Sequence, residues 1–200
     1  MNADTVWTLV LLCLHLGLQA AFVWGRWRMF RIDGAVPLGV RVIEAAGGVG
    51  LLAGAALIAR RGHVPLPWDA SAVILAAASA GLFASGVSHV GRLTLTAAFS
   101  DDVPVRLITS GPYRWLRHPF YAAYVLAQLF VLAAAASPWA VPLCLAMASL
   151  YTTAARREER KFATSALSDE YARYASRTEA FLPRLQSRAM VEDGPRRHRV

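Results

Sequence analysis

The residues of this 200-residue chain that could do chemistry gather in two short stretches of its C-terminal half. The first reads Leu107-Ile108-Thr109-Ser110-Gly111-Pro112-Tyr113-Arg114-Trp115-Leu116-Arg117-His118-Pro119-Phe120-Tyr121. Gly111-Pro112 signals a turn. Pro119 suits the first turn of a helix, where its missing N–H leaves no bond unmade. The bare amides of such a helix start attract an anionic group such as a carboxylate. Arg117 and His118 stand beside them, and Tyr113, Trp115 and Tyr121 supply aromatic faces. Composition alone also fits a plainer reading, a belt of arginine, tryptophan and tyrosine that anchors a membrane boundary.

The second stretch opens with Arg156-Arg157-Glu158-Glu159-Arg160-Lys161-Phe162 and continues through Ser168-Asp169-Glu170-Tyr171. Adjacent carboxylates at the end of an apolar helix are costly if buried, so Glu158 and Glu159 mean either function or a solvated helix end. Ser168 is a candidate N-cap, and Asp169 and Glu170 suit the first turn of a short helix. Tyr171, Tyr174 and Arg177 are spaced three apart and drift along one face of it. Pro183 ends the segment. Residues 185–200 are polar and arginine-rich, and a disordered end is expected there.

These stretches need elements to hold them, and the composition says which. Apolar residues make up 56% of the chain and charged residues 17%, against about 45–50% and about 25% in a soluble domain. Five apolar runs approach the roughly 20 residues that a spanning helix needs: 5–24, 40–59, 70–90, 120–136 and 138–155. Ser137 and Pro138 separate the last two, which are expected to form a helical hairpin rather than one broken helix. Arg26, Arg28 and Arg31 fall in the first connection and Arg92, Arg106, Arg114 and Arg117 in the third. Eleven more basic residues follow from Arg156, whereas the second connection holds only Arg60 and Arg61. Positive residues stay inside, so the N-terminus is expected outside and both motif stretches in the cytoplasm.

The expectation is therefore an all-α integral membrane protein of about five spans with a cytoplasmic C-terminal helical segment. Its parts are three N-terminal spans over 1–90, a functional core over 91–184 and the tail. The apolar N-terminus lacks a basic leader and carries Asp4, so a permanent span is favoured over a secretory signal. Gly50 and Gly54 form a GxxxG, read as packing within the chain in preference to a homodimer interface. The net charge of +8 raises nucleic-acid binding, but long uncharged runs interrupt the basic residues and argue against it. Cys13 and Cys144 make no disulfide framework and no metal spacing. His15, His63 and His89 are read as structural.

The order of the motif residues resembles a known family. The stretch 107–121 is similar to the LVTxGPYRxxRHPxYxG signature of the isoprenylcysteine carboxyl methyltransferase family. Glu158-Glu159 through Phe162, then Tyr171, Tyr174, Arg177-Thr178, Phe181 and Pro183, resembles that family's EExxF…YxxYxxRTxxFxP ending. The resemblance covers about residues 91–184. It implies a membrane methyltransferase using S-adenosylmethionine, with Tyr113, Arg117, His118, Pro119, Tyr121, Glu158 and Glu159 around the cofactor. Tyr174 and Arg177 would hold the acceptor, and Glu159, Tyr171 and Arg177 would stand closest to the chemistry. The acceptor implied is a lipophilic small molecule or a lipidated group reached from the membrane lipids, in the inner membrane if the source is bacterial.

One departure is Ala123, where the family has glycine; a methyl group there would narrow the pocket. Methyl transfer needs alignment and a dry site, and no metal. Arg177 or Arg117 would orient a carboxylate acceptor, and His118 is the nearest base for an amine. Two other readings compete: a sterol-type membrane reductase using NADPH, and a non-catalytic membrane protein of the same fold. The paired glutamates and the Tyr-Tyr-Arg ending favour the methyltransferase.

Overall fold

The computed structural model describes residues 2–31, 36–90, 95–96, 104 and 106–183. The disordered end expected at 185–200, and Arg92, lie outside the described residues. Among the described residues there are six α-helices: α1 (Ala3–Met29), α2 (Leu38–Ala59), α3 (Leu66–His89), α4 (Pro119–Ala135), α5 (Ala140–Ala163) and α6 (Ser168–Ala175). A two-residue strand β1 (Phe30–Arg31) pairs in parallel with β2 (Leu95–Thr96), tying the end of α1 to the long connection after α3.

Proline punctuates the bundle. Pro37 and Pro65 stand just before α2 and α3, and Pro119 is the first residue of α4, positions where no helical hydrogen bond is lost. Helix α4 stops at Ala136, which turns left-handed at φ 45° and donates its N–H back to the Leu132 carbonyl. Ser137 and Pro138 follow, and α5 begins at Ala140 and packs back along α4. The last two apolar runs are thus a helical hairpin.

Helices α1, α2 and α3 are each long and apolar enough to cross a membrane. Their outward faces carry Leu16, Val23, Val49, Leu52 and Ile74, all exposed. Helix α4 has 17 residues, about 25 Å at 1.5 Å per residue, short of the roughly 30 Å hydrocarbon core. It is instead the buried centre, packed against α1, α2, α3 and α5, with Ala123, Phe130 and Ala134 fully enclosed. Helix α5 is apolar in its first half and ends in the charged run from Arg156. The membrane character is thus borne out through three helices, and the count of five is not reached on length and composition.

Contacts along the helices fix their directions. His63 meets Asp4 at 3.0 Å and Arg61 meets Asp69 at 2.5 Å, gathering the start of α1, the end of α2 and the start of α3 at one end. At the other end Arg26 pairs with Glu44 at 3.1 Å, and Phe83 packs edge-on against Phe22 and Phe120. The tryptophans sort in the same way. Trp7, Trp68 and Trp139 belong to the first end, and Trp24, Trp27 and Trp115 to the second, two levels that match interfacial belts. Both motif stretches lie at the second end.

Small residues let the helices close up. Gly54 sits under His15 and Val131, where an added Cβ would come within 2.9 Å of the imidazole. His15 is buried, bonds through Nε2 to the Leu51 carbonyl at 3.1 Å and stacks on Phe130. Gly50 faces Met147. The GxxxG therefore serves packing within the chain, as expected. Ala123 lies in the α3–α4 contact, where the Ser79 hydroxyl donates to its carbonyl at 2.8 Å. It is not a wall of the pocket described below, so its methyl group does not narrow that pocket.

Because the Gly54 contact is backbone against an enclosed ring, Gly54→Val should separate α1 from α2 at a cost of about 1–3 kcal/mol. Thermal unfolding in detergent should show a lower midpoint, and Gly48→Val, which meets nothing within 4 Å, should leave it unchanged.

Candidate functional site

The site begins with a tight turn. Gly111 has φ +58° and opens a 3-10 turn, Gly111–Arg114. A Cβ on Gly111 would fall 2.4 Å from the His89 ring, so glycine is required there on two counts, sterics and backbone. His89 Nδ1 donates to the Ser85 carbonyl at 2.8 Å, which holds that ring at the end of α3. Leu116 N–H closes the turn on the Pro112 carbonyl at 3.0 Å.

After the turn the chain extends and pairs with the tail. Arg117 N–H donates to the Glu179 carbonyl at 2.7 Å, and His118 N–H to the Ala180 carbonyl at 3.1 Å. Glu179 N–H returns a bond to the Trp115 carbonyl at 3.2 Å. The Tyr174 hydroxyl lies 2.8 Å from the Tyr113 carbonyl and 3.2 Å from that of Leu116. The two motif stretches are therefore stitched together by main-chain bonds before any side-chain charge is counted.

The ionic centre sits under this seam. Arg117 Nε donates to Glu159 Oε1 at 2.8 Å. His118 is buried, with Nε2 3.1 Å from Glu159 Oε1 and Nδ1 3.4 Å from Glu158 Oε2. The Tyr121 hydroxyl donates to Glu158 Oε1 at 2.7 Å. Arg117 also spends Nη1 on the carbonyls of Ala175 (3.2 Å) and Thr178, and so places a cation at the C-terminal end of α6, where the helix dipole favours it.

Electrostatics follows from these partners. Burial pushes the His118 imidazole down, but its bonds to Glu158 and Glu159 outweigh this and raise it above 6.5. Two N–H donors facing two carboxylates suit the imidazolium. The His118 bond, against the opposing effect of burial and with help from Arg117, holds the Glu159 carboxyl at about 2. Burial raises the phenols of Tyr113, Tyr171 and Tyr174, the last to about 12, so these hydroxyls remain protonated donors.

Above the centre lies a pocket, open to solvent, with a cavity volume of about 90 Å³. Tyr113, Phe120, Tyr121, Phe162, Tyr171 and Tyr174 supply rings to its wall; Glu158, Arg117 and His118 supply charge; Arg106 and Lys161 also line it.

The structure brings together nine of the ten residues singled out from the sequence. Tyr113, Arg117, His118, Pro119, Tyr121, Glu158, Tyr171 and Tyr174 line the pocket, and Glu159 lies behind it, held by Arg117 and His118. Arg177 is the exception. The spacing of three that linked it to Tyr171 and Tyr174 holds only while the helix lasts, and α6 ends at Ala175. Arg177 follows in a turn, exposed and away from the pocket. Ser168 is likewise the first residue of α6 and not its cap, which is Leu167. Of the residues not singled out, Phe162 follows Glu158 and Glu159 by one helical turn, a spacing that already places it on their face. Phe181 covers His118 with ring centroids 5.9 Å apart. Leu107 and Ile108, which open the first motif stretch without a role assigned to them, and Arg106, read only for its charge, also line the pocket.

Two consequences are measurable. Arg117→Ala removes the contacts from Glu159 to the end of α6, so protease cleavage after Arg173 or Arg177 should accelerate by an order of magnitude or more. His118 has a raised proton affinity in the folded protein. Its stabilising charge is complete below 6.5 and is lost as pH rises through the higher folded value. The thermal midpoint of the wild type should therefore fall above that pH, and that of His118→Gln should not.

Comparison with known proteins agrees with this geometry. Residues 71–164 match the model of the isoprenylcysteine carboxyl methyltransferase family, which takes in α3, the turn, α4 and α5. The chain is 39% identical over 120 residues to the cobalt-zinc-cadmium resistance protein CzcN of Cupriavidus metallidurans, covering 59% of this chain and 54% of that protein. It is 32% identical over 119 residues to the nickel-cobalt-cadmium resistance protein NccN of Alcaligenes xylosoxydans xylosoxydans, covering 59% and 55%. The matched part thus spans a little over half the length of each of these relatives.

Proposed function

We propose that this membrane protein, a member of the isoprenylcysteine carboxyl methyltransferase family through residues 71–164, is an S-adenosylmethionine-dependent methyltransferase acting on a lipid-like acceptor at the cytoplasmic face. The observation that carries the reading is the pocket wall, six aromatic rings around Glu158. Aromatic faces attract cations, more strongly when water is excluded. Glu159 is held by both Arg117 and His118, whereas Glu158 meets the Tyr121 hydroxyl at 2.7 Å and one cation, His118, at 3.4 Å. Glu158 is thus the anion available to a cationic ligand. When bound there, S-adenosylmethionine supplies an electrophilic methyl group on a sulfonium cation.

The chain's own groups then have defined tasks. The rings exclude water, and Glu158 with Tyr121 orients the positive end. Arg117 is occupied by Glu159 and the tail carbonyls, so it holds the site together and does not grip an acceptor. Arg177 is too far out to do so in this conformation. Arg106, on the pocket wall, is the better partner for an acceptor carboxylate.

His118, held protonated by two carboxylates, is poorly suited to take a proton from an amine. A carboxylate acceptor needs no base, and the site favours it for that reason. We further propose five spans, with the N-terminus outside, because the described arginines other than Arg60 and Arg61 gather toward the motif end. The names of the two relatives suggest metal resistance as the cellular setting.

Calorimetry in detergent tests the reading. S-adenosylmethionine should bind with micromolar affinity, and Glu158→Gln should weaken it by about tenfold or more, the equivalent of one charge-assisted contact. NADPH binding in its place would overturn the proposal. Transfer of a labelled methyl group to a membrane lipid extract should give a base-labile ester; a base-stable product would indicate an amine.

A further inference from the structure

The seam that covers the ionic centre has an outer edge that the site does not use. The Leu116–Glu179 bridge is parallel, so the residues two places before it on each side come to the same end of the seam. Those residues are Arg114 and Arg177. The Tyr174 hydroxyl holds the end of α6 against the same turn through the Tyr113 and Leu116 carbonyls. Both arginines are exposed, and neither has an ion-pair partner among the described residues. Arg173, in the last turn of α6, is exposed and without an ion-pair partner there as well. The acidic residues of that helix, Asp169 and Glu170, stand in its first turn, and Glu179 lies in the field of Arg117. Folding thus brings like charges together with no protein anion between them, an arrangement that an external anion relieves.

The neighbour of Arg114 says where that anion comes from. Trp115 is 61% exposed, and the Arg114 guanidinium stands 5.9 Å from its ring centroid. Trp24 and Trp27 are exposed at the same end of the bundle, with Arg28 5.3 Å from the Trp24 ring. Indoles at one level mark the headgroup layer of a bilayer, and guanidinium groups there match phosphate oxygens in pairs. We infer that Arg114, Arg177 and Trp115 form a docking edge for anionic phospholipid headgroups, and that a bound phosphate ties the tail to the turn before α4. The two arginines come from opposite sides of the seam, so a headgroup meets both only while the seam is closed. Lipid binding therefore stabilises the closed cover over Arg117, His118 and Glu159. The inference rests on the membrane placement of the helices and is independent of which reaction the pocket performs.

Hydrogen exchange of the full chain in lipid nanodiscs tests it. One set of discs holds phosphatidylcholine alone, and the other holds about one-third phosphatidylglycerol, enough to make the surface anionic. The tail amides around Glu179, whose N–H bonds to the Trp115 carbonyl, should exchange about tenfold more slowly in the anionic discs, the effect of two arginines held at such a surface. Arg114→Gln and Arg177→Gln should each remove most of that difference. The readout is the ratio between the two discs, so any loss of packing in a variant cancels. Arg28→Gln, at the end of α1, should keep the ratio. A wild type with equal exchange in both discs overturns the inference. An equal loss in Arg28→Gln also overturns it, since that marks a uniform surface potential and not a site. So does slower exchange in the phosphatidylcholine discs on adding inorganic phosphate, which assigns the edge to a free anion.

Discussion

The Arg117–Glu159 bond is the interaction on which the site depends. It joins three segments that are far apart in the chain: the turn before α4, the last turns of α5, and through Nη1 the end of α6. Two unit charges at this separation interact by about 1.5 kcal/mol in water and about 6 kcal/mol at an effective dielectric of 20. The gain therefore depends on the tail lying over it. The main-chain seam between 115–118 and 179–180 puts the tail there, and Phe181 completes the cover of His118. Charge and cover support each other: without the tail the pair is screened, and without the pair the end of α6 loses its cation.

The bundle beneath supplies rigidity in proportion to how small its residues are. Helix α4, with 17 residues, is at the short end for a span and is enclosed by its neighbours. Alanines at 122, 123, 127, 133, 134 and 135 let its neighbours approach from several sides. The aromatic residues sit near its first turns, where Phe120, Tyr121 and Tyr124 pack against Phe83, Phe22 and Tyr151. The helix is thus thin where it is deep and thick where it carries the site, which presents His118 and Tyr121 on a well-packed platform.

Much of this was legible in the sequence because it rests on local rules. Pro119 marked the start of α4, Ser137 and Pro138 marked the hairpin, and residue order brought nine of ten site residues to one place. Arginine asymmetry and tryptophan position mark the same end of the bundle. What failed was extrapolation of a period past its element. Arg177 keeps the spacing of three, but α6 stops after eight residues, closed by the Ser176 and Thr178 hydroxyls on the Arg173 and Tyr174 carbonyls and by Arg117 from a distant part of the chain. Arg117 lines the pocket, but its bonds to Glu159 and to the tail carbonyls had no signal in the sequence. An arginine beside a pocket reads as a ligand holder until its partners are known, and here they are all protein. Ala123 likewise faces a neighbouring helix, which the motif alone does not reveal.

The two ends of the bundle show that buried charge by itself does not make a site. Arg61 and Asp69 form a pair at 2.5 Å that is more enclosed than the Arg117–Glu159 pair beside the pocket. Two of the guanidinium nitrogens there have no partner among the described residues. Such a pair contributes little net stability once desolvation is counted, although breaking it is costly. The motif end differs in kind. Its cations have partners on several elements, its two carboxylates are divided between a strongly held one and a more weakly held one, and aromatic faces open beside the latter. Arg117 reaches Glu159 and not Glu158, and that inequality leaves two neighbouring carboxylates held by different partners at the edge of an aromatic pocket.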